Sequence, residues 1–154
     1  VYDSMEDPFT ADELFNKVKG KPNIAVIGFT SDGDVFGGFF SVPVTEQEKS
    51  VDDPHIFAFS FESHGRCMTP QQFAVRADVE DEVNVEFKKG CSQGFLVFWV
   101  EDANCGFWLG NEMSNSFCFN MSHGFERLED TTLTGTNKYP PFYHIVRLVA
   151  AALS

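Results

Sequence analysis

Residues 24–40 read IAVIGFTSDGDVFGGFF. Ile24 to Phe29 is apolar and rich in β-branched side chains, Ser31-Asp32-Gly33-Asp34 is turn chemistry, and Val35 to Val42 is apolar again. That order predicts a β-hairpin. Two adjacent glycines, Gly37 and Gly38, interrupt its second strand. Glycine in a strand gives up backbone entropy and supplies no side chain to the core, so it marks a bulge or a close approach by a neighbour. The stretch lacks the helix start and the lysine of a phosphate cradle. Gly33, Phe36, Gly37 and Gly38 are therefore assigned to shaping the hairpin.

Upstream, Phe9-Thr10-Ala11-Asp12-Glu13-Leu14 places Thr10 as an N-cap with Glu13 three residues later, a capping box, and Phe9 and Leu14 in the hydrophobic staple positions. The predicted helix runs from Ala11 to Lys19, where Gly20 supplies a left-handed end and Pro22 blocks continuation. It is short, so it depends on packing Leu14, Phe15 and Val18 against the rest of the chain. Two more short helices are expected, one after Thr45, where Glu48 completes another capping box, and one at Thr69-Pro70-Gln71-Gln72.

Downstream the period is two. Ile56 to Glu62 puts Phe57, Phe59 and Phe61 on one face and Ala58, Ser60 and Glu62 on the other, one face being core. Val83 to Phe87 and Phe117 to Met121 alternate in the same way, and Phe95 to Val100 is apolar on both faces, as a central strand should be. Tyr143 to Val149 is strand-like, with an alanine tail compatible with helix. Many short strands with few helices predict a mainly β (α+β) fold, a two-sheet antiparallel β-sandwich flanked by a few short helices.

A chain of 154 residues fits one domain over residues 1–154, able to bury roughly 70 per cent of its unfolded surface without metal or disulfide. It starts at Val1 without Met, and the expectation is a domain cut from something longer. The net charge of −12 repels phosphate backbones and anionic headgroups, so nucleic acid is disfavoured as a partner. No signal-peptide pattern or long apolar span suited to membrane insertion is present, and the reducing cytosol is the expected compartment.

Candidate chemistry is sparse. Asp78, Glu80, Asp81 and Glu82 lack the spacing and glycine of a calcium loop, and Asp32-Gly33-Asp34 is accounted for by a hairpin tip. His64 with Cys67, and Cys118 with His123, do not match a zinc-finger spacing. Ser63-His64-Gly65 and Ser122-His123-Gly124 both look like strand ends turning at glycine, with serine and histidine on opposite faces. Cys67 and Cys91 are the redox candidates, since each lies near basic residues, Arg66 or Lys88-Lys89, which lower a thiol's pKa.

Tyr2 to Phe9, the capped helix, Ile24 to Ile27, the Asp32-Gly33 turn and Val35-Phe36-Gly37-Gly38-Phe39 together resemble the opening of TLDc domains, the family of the oxidation-resistance proteins. Asp53-Pro54 and Ile56 to Ser60 continue the likeness, and Leu133-Thr134-Gly135 with Tyr143 to Val149 close it. Cys105 to Gly110 stands where the family has a glycine-rich stretch. The resemblance implies a β-sandwich with short helices, no established catalytic residue, cofactor or metal, and Gly135 as a further structural glycine. It also implies a non-enzymatic protein-interaction domain linked to oxidative-stress protection and to the vacuolar proton pump, working at the cytosolic face of endolysosomal membranes. The alternative is a redox sensor or small enzyme using Cys67 or Cys91.

Overall fold

The computed structural model describes residues 1–79, 83–90, 94–111, 116, 118–134 and 142–154. Eleven strands and two helices lie among them. In chain order these are β1 (Tyr2–Asp3), α1 (Ala11–Val18), β2 (Ile24–Thr30), β3 (Val35–Phe40), β4 (Val51–Asp52), β5 (Phe57–Glu62) and β6 (Gln71–Ala74). Then follow β7 (Val83–Phe87), β8 (Leu96–Val100), β9 (Cys105–Leu109), β10 (Cys118–Phe119), α2 (Met121–Gly124) and β11 (Ile145–Ala152). They form a six-stranded sheet, order β1-β11-β2-β3-β5-β6, and a five-stranded sheet, order β10-β9-β8-β7-β4. All pairings are antiparallel, and the fold is the mainly β two-sheet sandwich that the alternation predicts.

The sheets share one core. Phe36 and Phe40 from β3 meet Phe87, Phe98 and Phe107 from the other sheet in ring contacts at 5.8–6.5 Å. Phe98 and Phe107 stack at 4.7 Å. The predicted hairpin is β2–β3, with Gly33 at φ +88° in its turn. Thr10 caps α1 by accepting from the Glu13 backbone N–H at 3.2 Å, and Gly20 at φ +71° follows its end. Leu14, Phe15 and Val18 enter the core, Phe15 against Phe87.

Four expectations change. No helix follows Thr45: Glu48 adopts φ +58°, its N–H donates to the Phe87 carbonyl, and its carboxylate accepts from the Lys89 N–H. The residue that would close the capping box is taken by the end of β7. Residues 71–74 are strand rather than helix, because β5 offers an open edge and Pro70, lacking an N–H, sits just outside the paired stretch. The alternation through Met121 stops at Phe119, because Asn120 turns left-handed at φ +50° and starts α2. The alanine tail is extended to Ala152, because β11 is held between β1 and β2. Phe117 lies outside the described residues.

Candidate functional site

Gly37 and Gly38 point to opposite faces of the six-stranded sheet. A β-carbon added at Gly38 would lie 2.7 Å from two atoms of the Phe98 ring and 2.8 Å from Phe107. One at Gly37 would lie 1.9 Å from the Val26 carbonyl oxygen and 2.9 Å from the tip of Phe59. The inner glycine makes room for the aromatic core, and the outer one brings strands close and lets Phe59 lie across the sheet. Both serve packing, as does Phe36, fully buried between Phe107 and Tyr143. Gly135 lies outside the described residues.

The alternation of β5 resolves in an unexpected direction. Ala58 and Ser60 face the core, and the three phenylalanines face out. The inner position has no room for more: Ala58 pairs with Gly38, which the Phe98 and Phe107 rings already overlie. On the outside, Phe39 stacks on Phe57 at 4.7 Å, Phe57 meets Phe59 at 6.3 Å, and Phe59 meets Phe61 at 4.9 Å. This continuous row of four rings ends at Phe61, which is 51 % exposed. Beside it a cleft of about 380 Å³ is lined by Ile27, Phe57, Phe59, Phe61, Pro70 and Leu153 among others. α1 packs toward β1 and β11 and α2 toward β9. An apolar sheet face left in water is a common mark of an interaction surface.

Asp34 does more than form a turn. It is 2 % exposed, and its carboxylate takes the Arg66 guanidinium at 2.5 Å and lies 2.9 Å from His64 Nδ1. Arg66 also donates to the carbonyls of Thr132 and Leu133, tying three segments together. His64 is left-handed at φ +51° and Gly65 follows at φ +84°, the turn expected after this strand. Ser63 is buried, and its hydroxyl accepts from the Cys67 N–H at 2.6 Å. The second Ser-His-Gly lies instead in α2. Sequence reading missed this network because its partners are 30 or more residues apart.

Cys67 is partly exposed, and Cys105 and Cys118 are buried; all three are free thiols. Arg66, the cation expected to sit by Cys67, is bonded to Asp34 and two carbonyls. Cys91 lies outside the described residues. Burial pushes the Cys105 thiol up to about 12 and raises Cys118 and the Tyr143 hydroxyl as well. Among the described residues no three His, Cys, Asp or Glu side chains gather to hold a metal ion. Asp78 pairs with Arg76, at 3.0 Å, while Glu80, Asp81 and Glu82 lie outside the described residues.

Among the described residues no helix is long and apolar enough to cross a membrane. A search of curated proteins finds no match to this chain. The family model for the TLDc domain matches residues 1–145. That span runs from β1 to the first residue of β11 and takes in the capped helix, the hairpin with its paired glycines, the five-stranded sheet and the six-stranded sheet except for the rest of β11. The chain belongs to the TLDc domain family.

Proposed function

We propose that this TLDc domain is a non-enzymatic protein-interaction module of the cytosol that docks a basic partner. Subunits of the vacuolar proton pump are the first candidates, and protection from oxidative stress is the expected consequence. The observation that carries the reading is the row Phe39, Phe57, Phe59 and Phe61 on the outer face of the six-stranded sheet, which stays partly in water. Phe61 has about half its surface left to bury, so covering it with a partner is worth about 1–1.5 kcal/mol, enough to make it an anchor. The surrounding charge of −12 favours a basic partner and speeds its approach.

The test is an affinity pull-down of the tagged protein from a lysate that retains vesicles, with Phe61→Glu as the matched control. Recovery of proton-pump subunits by the parent and their loss with Phe61→Glu supports the reading. Equal recovery by both removes the phenylalanine face, and no specific recovery by the folded parent removes the interaction role.

A further inference from the structure

The outer face of the five-stranded sheet carries a second, chemically different cleft, of about 310 Å³. Its apolar walls are Trp99 and Trp108, with ring centres 5.3 Å apart and planes at 65°. Trp99 lies against the sheet at Gly106, where an added β-carbon would come within 2.6 Å of its ring. Val97 is buried beside them, and Asn84 pairs with Trp99 across the strands. Polar groups complete the rim: Glu86, Lys88 and Glu101.

We propose that this cleft binds an arginine side chain carried by a protein partner, an assignment that rests on the interaction reading above and specifies its chemistry. The two indoles meet edge to face, and indole lining a cleft is the best aromatic surface for a cation. The charges on the rim have the right sign. Lys88 is 2.6 Å from Glu86 and 4.0 Å from Glu48, so one ammonium faces two carboxylates, and Glu101 adds a third. The excess is negative, on a chain of net charge −12. Guanidinium suits the site better than ammonium: it is flat enough to stack on indole, weakly hydrated, and keeps its N–H edge free for carboxylate or the Asn84 amide. Lys88 is the internal competitor, holding Glu86 in the absence of a partner. Glu86 is held further by Ser50, whose hydroxyl donates to it at 3.0 Å.

The chain has two tryptophans, and both line this cleft, so tryptophan fluorescence and the two indole N–H resonances report on it directly. The probe is a capped Gly-Arg-Gly peptide, compared with its neutral citrulline isostere and with methyl glucoside. Saturable shifts of both indole signals by the arginine peptide are expected. Binding should be about tenfold weaker for citrulline and for Glu101→Gln, lost in Trp99→Leu, and tighter in Lys88→Met. Equal binding of arginine and citrulline, shifts produced by the glucoside alone, or no shift with any probe would each overturn the proposal. Glu101→Gln leaves the sheet packing untouched and decides the matter if Trp99→Leu does not fold. A partner captured equally by parent and Trp99→Leu would leave the interaction reading standing and remove this site.

Discussion

Replacing Gly38 by alanine puts a methyl group 2.7 Å from the Phe98 ring and 2.8 Å from Phe107, nearly an ångström inside contact distance. Neither ring has a flexible end that swings away, and the two stack on each other at 4.7 Å. Overpacking of this kind costs about 1–3 kcal/mol, while stiffening the unfolded chain returns about 0.4–1 kcal/mol. The net loss should be about 1–1.5 kcal/mol, or a fall of about 2–6 °C in Tm for a domain of this size. Thermal melts of purified protein read it directly. Because the clash is with a side chain, Phe98→Leu should relieve part of it, making the double variant about 1 kcal/mol better than the sum of the singles. Gly37→Ala differs in kind. Its methyl meets the Val26 carbonyl oxygen, a backbone atom, at 1.9 Å, so β2 and β3 must part and no side-chain trimming helps. A Gly38→Ala protein melting at or above the parent, or one indifferent to Phe98→Leu, would refute the packing account of the paired glycines.

The cysteines should separate by burial: in a Cys91→Ser background, one thiol, Cys67, reacts with a neutral-pH thiol reagent in the folded protein. Cys105 and Cys118 should react only on unfolding, which mass spectrometry of the labelled protein checks, and an unreactive Cys67 would remove that thiol from the redox alternative, with Cys91 judged by the same labelling of the parent protein. Alkaline pH should destabilise the fold. Cys105 titrates near 9.0 when exposed and at about 12 when folded, so the unfolded chain loses its proton first. The stability this group contributes is complete below pH 9 and falls by about 1.4 kcal/mol per pH unit above it, as denaturant titrations from pH 8 to 11 should show. Asp53→Ala should cost about 3 kcal/mol, because this fully buried carboxylate accepts from the backbone N–H groups of Ser41, Val42 and His55 and from the Ser41 hydroxyl. Asp53→Asn should cost less, since it keeps the shape and part of the acceptor capacity, and calorimetry compares the two.

What sequence could show followed the range of the interactions involved. The cap at Thr10 and the turn at Gly33 are made within a few residues, and both stand as read. Glu48 carries the same local signal as Glu13, but a distant strand end takes its carboxylate and N–H, so its helix does not form. Alternation in β5 gave two faces without saying which was core; that depended on Phe98 and Phe107, about forty residues away in the other sheet. Asp34 looked complete as a turn residue because its salt bridge to Arg66 crosses 32 positions. Trp99 passed as part of a wholly apolar strand, and only the pairing with Asn84 and the space over Gly106 set it on an open cleft.

The position of β11 bears on how the protein is made. This last strand lies between β1 and β2, and the terminal amine of Val1 donates to the carbonyl of Ala150, 149 residues on. While the chain is being synthesised, β2 therefore emerges with one edge unpaired and stays so until residue 152 is available. That edge runs through Ile24, Val26 and Ile27, an apolar segment of the kind that recruits other nascent chains. The six-stranded sheet thus cannot close before residues 145–152 are out of the ribosome. A ribosome-bound chain truncated before Ile145 should depend on chaperones in a way the finished protein does not.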